Sequence, residues 1–322
     1  MLQLINLPLD DELIDDHGGV DGLQKLLDQT GCDSIEWVWG GRKIHTVLPP
    51  AMTQGYHLTF YSDWLDLYLG DREKLLKKFG SEEVIRDLYG GIEPSVLIHR
   101  YKEDLERALS LGAKYVVFHI SDVSIEEGYT YEKEHSDEQV FDACAEIINE
   151  IMSGVDTKID FLIENLWWAG FRFDHIERTK YILDKIEYEH KGIMLDTGHL
   201  LNTEPALRSE REGIRYIQKM LDHHKEIQHL IKGIHLNLSL SGEYVRSAIG
   251  RLSPIGESYF EKFSNSYAHI LQLDQHRAFT DPLIGEVIRE IAPRYLVHEL
   301  RGSTIEEKIE MVKRQRATIG SF

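Results

Sequence analysis

Basic side chains, cysteines and long apolar runs are all scarce in this chain of 322 residues. Lys and Arg number 36 against 55 Asp and Glu, a formal net charge of −19. So acidic a surface repels phosphate backbones and anionic lipid, which sets nucleic-acid and membrane partners at a disadvantage unless bound cations or a local basic groove reverse it. Two cysteines, Cys32 and Cys144, stand far apart. They exclude a disulfide framework and a CxxC zinc module, and fit a reducing, cytoplasmic compartment. No apolar stretch approaches the ~20 residues that span a bilayer. The stretch MLQLINLPLDDELIDD turns acidic where a signal peptide would be basic. A soluble, cytoplasmic protein is expected.

What the chain does have is regular alternation. Short β-rich runs at 2–6, 34–39, 56–61, 115–120, 161–165, 192–196, 233–238 and 295–299 are separated by stretches with apolar residues every three or four places. Those helical patterns cover 18–31, 103–112, 137–154, 176–189, 211–230 and 281–293. Strict β-α alternation predicts a parallel sheet covered by helices. Eight strands favour a closed (β/α)8 TIM barrel over an open doubly wound sheet, and no Gly-rich dinucleotide fingerprint follows the first strand. The chain therefore reads as a single α/β domain over 1–322. Residues 241–273 exceed what one connection needs and read as an inserted loop and helix near the barrel mouth.

In such barrels chemistry sits at the C-terminal ends of the strands. Those ends carry His57 (GYHLTF), His119 (YVVFHISD), Glu164 (FLIENLWW), Asp196 and His199 (GIMLDTGH), His235 (IKGIHLNL) and Glu299 (RYLVHEL). Asp274 and His276 follow in LQLDQHRAF, between the last two strands. All are carboxylates or imidazoles, the borderline ligands of Zn²⁺, Mn²⁺ or Fe²⁺. Charged groups at buried strand ends are costly, and clustered carboxylates repel, unless cations lie among them. A divalent metal centre relieves both costs.

The bland reading applies to each histidine singly, since a lone one is more often a hydrogen-bonded core residue than a ligand. His298 should point outward to the helices by strand alternation, and His45, His223 and His224 read as loop or helix-surface residues. Glu36 reads as a structural rim carboxylate. Trp167 and Trp168, directly after Glu164, offer an apolar wall to a substrate or pack under a loop. Arg172 and Arg246 are candidates for binding a phosphate or carboxylate.

With these residues in place the chain resembles the xylose-isomerase-like TIM barrels (AP endonuclease family 2), which include sugar isomerases and epimerases and the endonuclease IV type. The resemblance implies one divalent metal held by Glu164, Asp196, His235 and Glu299. It also implies further ligands of a multi-zinc cluster at His57, His119, His199, Asp274 and His276. Two departures stand out: residues 241–273 lengthen the spacing from His235 to Asp274, and RAFTDPLIGE replaces the Gly-Glu-Gly usual after the D-x-H pair. No basic DNA-penetrating loop is evident.

The first functional expectation is an isomerase or epimerase with Glu164 and Glu299 as acid–base pair beside a carbonyl, on a small sugar-like or phosphorylated substrate. The second is a two- or three-metal phosphoester hydrolase. A non-catalytic barrel would have lost its strand-end ligands, and this one has not. The metal is expected to be Zn or Mn, one to three ions. Dimers are common among such barrels, and the 241–273 segment would cap the mouth or form a homodimer contact.

Overall fold

The computed structural model describes residues 1–39, 41 and 44–320. The barrel strands are β1 (Leu2–Leu9), β2 (Ser34–Trp39), β3 (Thr53–His57), β4 (Tyr115–His119), β5 (Asp160–Glu164), β6 (Lys191–Asp196), β7 (Ile231–His235) and β8 (Tyr295–His298). All neighbours are parallel, in the order β1-β8-β7-β6-β5-β4-β3-β2, and the barrel closes where β1 pairs with β8. This is the closed (β/α)8 barrel expected from the alternation.

The period of two along each strand decides what enters the lumen. On β5, Asp160, Leu162 and Glu164 face inward while Phe161 and Ile163 pack outward against helices. The same parity on β4 and β8 sends Tyr115, Val117, Tyr295 and Val297 inward, to pack with Leu4, Leu162 and Met194 in the barrel's centre. Gly55 on β3 leaves its lumen position empty, and the Tyr115 ring fills it: an added Cβ would lie 2.3 Å from that ring. At the N-terminal end Asp160 closes the lumen, bonded to Lys232 at 2.7 Å, Arg294 at 3.0 Å and the Tyr295 hydroxyl at 3.1 Å. Register completes the arrangement at the other end, where His119 stands beside Glu164 and Asp196 beside His235.

The third strand starts and ends earlier than the 56–61 expected. A 3₁₀ turn at Pro50–Met52 leads straight into it, and beyond Leu58 the Thr59 amide is taken by the Asp104 carboxylate at 2.8 Å. Among the described residues this turn is all the helix between β2 and β3, so the alternation is not strict. Elsewhere helices follow the expected pattern, including Gly19–Thr30, Ser95–Ser110, Asp137–Met152, Ile176–Lys185, Glu210–His223 and Ile284–Ile291. Short helices at Leu65–Tyr68, Arg72–Phe79 and Glu82–Tyr89, and a last one at Ile305–Ile319, add to them. The 241–273 segment forms two helices, Gly242–Ala248 and Tyr259–Leu273. The second starts at a capping box: Ser258 Oγ accepts from the Glu261 amide, and the Glu261 carboxylate accepts from the Ser258 amide, each at 3.2 Å. No helix among the described residues is long and apolar enough to cross a membrane.

Candidate metal centre

Inward parity delivers Glu164, Asp196 and His235 from the last residues of β5, β6 and β7, and Glu299 from the residue after β8. One ligand atom from each lies within 4.8 Å of the others. His235 is the centre of this group, with Nδ1 2.9 Å from Glu299 and 3.2 Å from Glu164. Its Nε2 lies 3.1 Å from Glu36, whose carboxylate also accepts from the Tyr115 hydroxyl at 2.8 Å. Glu36 thus fixes the imidazole with Nδ1 turned to the carboxylates. It is fully buried beneath the site rather than at the rim, which corrects the sequence expectation.

Two further groups flank the first. His57 and His119 each place Nε2 3.1 Å from the same Glu164 oxygen, Oε2. Glu164 offers Oε1 to the His235 group and Oε2 to this one, so it is shared. On the other side Asp274 Oδ2 meets His276 Nε2 at 2.5 Å and His199 Nε2 at 3.5 Å. All nine strand-end and loop residues singled out in the sequence therefore converge as three groups.

The far nitrogen of each ring shows what these groups suit. His57 Nδ1 lies 3.0 Å from the Leu58 carbonyl, His199 Nδ1 2.9 Å from that of Asn165, and His276 Nδ1 3.1 Å from that of Glu299. With His235 on Glu36, four of the five rings donate N–H away from the cluster and aim the other nitrogen into it. That second layer of acceptors is characteristic of metal-ligating histidine. Glu36 Oε1, His119 Nδ1 and Asn237 Oδ1, all on ligand-group residues or their supports, are buried without a hydrogen bond. The donor set fits divalent cations.

Electrostatics agree. Burial alone would raise the Glu164 carboxyl, but His235 and His119 outweigh it and hold the group well below the usual range. Burial would lower His235, yet Glu36, Glu299 and Glu164 raise it well above an ordinary imidazole. Asp196 is pushed up to about 7 by burial, with Glu299 and Glu164 adding to the effect against His199.

Several supporting residues escaped the sequence reading. Asn6 on β1 donates from Nδ2 to Glu299 Oε1 at 3.1 Å, and its Oδ1 accepts from Lys308 Nζ at 3.1 Å. A lysine can only donate, so Lys308 sets which way the Asn6 amide faces; burial draws the Lys308 ammonium down to about 8. Asn237 donates to Asp196 Oδ2 at 2.8 Å, and Asn165 donates to the Asp196 carbonyl at 3.0 Å. Inward parity on the first two strands was the available signal for Asn6 and Glu36.

Trp167 and Trp168 both line a cavity of about 360 Å³ that opens from the centre at His119, His199 and Asp274. A two-residue ribbon, Ser121–Asp122 against Ala169–Gly170, ties the loops after β4 and β5 together beside it. Gly170 sits at φ +117 there, and a Cβ would meet the Ile120 carbonyl oxygen at 2.3 Å. The two arginines stand elsewhere. Arg172 is spent on Asp137 at 2.7 and 2.9 Å and on Asp174 at 3.0 Å, and exposed Arg246 donates to the Pro205 carbonyl at 2.8 Å. Neither lines the cavity.

His298 points outward as expected, bonded to Gln3 and Gln315, and His45 and His223 are exposed. His224 is not on a surface. It is fully buried, its ring stacked 3.9 Å from Phe173 and its Nδ1 donating to the Met220 carbonyl at 2.8 Å.

A family model described as xylose isomerase-like TIM barrel matches residues 25–314. This chain belongs to the xylose isomerase-like TIM barrel family. Solved structures with this fold include endonuclease IV from Thermus thermophilus, at 14% identity over 99% of this chain and 98% of that one, TM-score 0.54. L-ribulose 3-epimerase shares 14% identity over 93% and 88%, TM-score 0.50, and a 3-keto-D-glucoside 4-epimerase from E. coli 12% over 97% of each, also 0.50. At such identities the likeness is one of fold. No curated protein matches the sequence. The three neighbours named are an endonuclease and two epimerases.

Proposed function

We propose that this family member is a multinuclear, metal-dependent phosphoester hydrolase acting on a small molecule. The observation that carries the reading is the third ligand group. An isomerase or epimerase needs Glu164, Asp196, His235 and Glu299 and could use His119 and His199 to orient substrate oxygens; it gives no employment to the paired Asp274 and His276, nor to His57, which complete two further ligand groups.

When bound, divalent cations supply charge to phosphoryl oxygens and lower the pKa of nearby water. The chain's residues set where this happens. Glu164, by facing two groups with its two oxygens, fixes their spacing. Asp274 and His276 bring a third set of donors from the loop after the inserted helix. Of the three carboxylates that share the His235 group, Glu299 is the most exposed, with 13% of its side chain accessible against 1% for Glu164 and none for Asp196. Glu299 is therefore placed to take one proton as water adds to phosphorus and the ester P–O bond breaks, the other staying on the new phosphate oxygen, and to return that proton to the leaving alkoxide, directly or through solvent. The net charge of −19 favours a small ester over a nucleic-acid strand.

Isomerase or epimerase chemistry is the second reading. Glu164 and Glu299 both approach His235 Nδ1 from different strands, at 3.2 and 2.9 Å, and are able to flank one substrate carbon. Elemental analysis of purified protein separates the two. Two or three zinc ions per chain, with phosphate released from an ester, support hydrolysis; a single Mn or Co-replaceable ion and no phosphate release support isomerisation.

A further inference from the structure

The cavity beside the metal centre has a composition that the ligand groups do not explain. One wall is His119, His199 and Asp274, at the centre itself. The rest is dominated by aromatic rings. Phe60 stands edge-on to His119 with centroids 4.4 Å apart, and Trp167 lies 5.2 Å from His199, so apolar surface begins at the ligand rings without a gap. Opposite, the inserted helix Tyr259–Leu273 contributes Tyr259, Phe263 and Tyr267. They recur at i, i+4 and i+8 and so form one face of that helix. Phe263 and Tyr267 remain 50% and 62% exposed along it. The helix is fixed in place by His269, which stacks on Tyr129 at 4.0 Å and bonds the Gly128 carbonyl at 2.9 Å.

No lysine or arginine is among the cavity's described lining residues. A second phosphate or a carboxylate on the substrate would find no cation in the cavity lining: the Asp63 carboxylate there is already paired with Lys78 at 2.9 Å, and Arg301 stands outside the lining, 5.8 Å from the Tyr267 ring. A sugar's many hydroxyls would lose water against rings that offer few acceptors. A flat apolar group gains on both counts, because it covers the exposed aromatic face and stacks on the rings. At about 360 Å³ the space lies at the small end of ligand pockets, room for one or two rings.

Resting on the hydrolase reading, we infer that the substrate is a small phosphate ester of an aromatic or similarly flat apolar alcohol, with no second anionic group. The phosphoryl group lies at the ligand groups and the alcohol lies between Trp168 and the Phe263 face. In the reaction the oxygen of water bonds to phosphorus keeping one proton, the P–O bond to the alcohol breaks, and the alkoxide takes up water's other proton and leaves as the alcohol.

The test uses the full chain loaded with zinc or manganese. Binding is read from tryptophan fluorescence, with benzylphosphonate compared to methylphosphonate. Turnover is read as phosphate release from benzyl phosphate, glycerol 3-phosphate and glucose 6-phosphate, whose alkoxide leaving groups are of one kind. Expected are at least tenfold tighter binding of benzylphosphonate and at least tenfold higher kcat/KM for benzyl phosphate. Phe263→Ala, a change on the helix surface, should close most of that gap through KM. Hydrolysis of all three esters at equal efficiency, or preference for the sugar phosphate, overturns the inference while leaving the hydrolase reading intact. Release from none of them, with metal bound, overturns the hydrolase reading itself. If Phe263→Ala instead splits a dimer and leaves the phosphonate preference unchanged, the aromatic face is a subunit contact and the inference is overturned.

Discussion

At the scale of single residues, the candidate centre is organised by what lies behind the ligands. Asn6 can face Glu299 with its Nδ2 only because Lys308 holds its Oδ1. Replacing Asn6 by Ala should free Glu299 to rotate and weaken metal affinity roughly 10–100-fold, the usual effect of losing such a partner, with little change in fold. Zinc titration against a competing chelator would measure it. His276→Ala removes a donor from the third group alone. It should lower the metal content of purified protein by about one ion per chain and cut phosphate release by more than ~100-fold if hydrolysis is the activity, as removal of a catalytic metal site would; unchanged release would favour isomerisation. The nine candidate ligands were legible because carboxylates and imidazoles at strand ends, and in the turns and loop beside them, conflict with burial. Asn6 was passed over and Glu36 was read as a rim carboxylate: parity points both inward, but their partners lie 293 and 199 residues away in the sequence, and only barrel closure brings them together.

At the scale of elements, parity and register did most of the positioning. All eight strands were readable, since short β-rich runs bounded by helical periods leave few alternatives. The third was placed too late, for a reason no periodicity carries: a side chain 45 residues downstream, Asp104, captures the Thr59 amide. The first turn after β6 is the tightest element at the site. A Cβ on Gly198 would lie 1.8 Å from Asn237 Oδ1, and Asn237 holds Asp196. Gly198→Ala should therefore cost about 1–3 kcal/mol in urea unfolding, typical of overpacking. It should also weaken metal binding, which a change of stability alone would not do. The inserted helix at Tyr259–Leu273 was expected as a helix near the mouth; that its apolar face lines a cavity depends on how it docks, which the sequence pattern does not specify.

At the scale of the whole molecule, buried charge couples stability to pH and to cations. Away from the centre, His135 bridges Asp122 at 2.9 Å and Asp66 at 3.0 Å, and Lys78 joins Asp66, Asp63 and Glu134 in the same network. The bonds to Asp122 and Asp66 raise the His135 imidazole to about 9. A group raised in this way stabilises the fold fully below its unfolded value near 6.5 and loses that contribution as pH rises through 9. The His135 contribution to stability, worth at most roughly 3 kcal/mol, should be lost between pH 6.5 and 9, and with zinc saturating the other cluster the urea midpoint of His135→Gln should fall less over that window than that of the unaltered protein. Chelation should act on the other cluster. Stripping the cations leaves carboxylates to be balanced by protons, so EDTA should lower Tm by several degrees and excess zinc should restore it. An unchanged Tm would mean that the ligand groups hold nothing in the folded protein.

The seam between β1 and β8 joins the first and last strands of the barrel, and Glu299 with its anchor Asn6 lies across it. Ions can be gripped with full affinity only once that last pair of strands has zipped together. Metal capture therefore doubles as a report of complete ring formation: a refolding chain should acquire its tightest-bound cation in the final kinetic phase, after most helical signal has already returned.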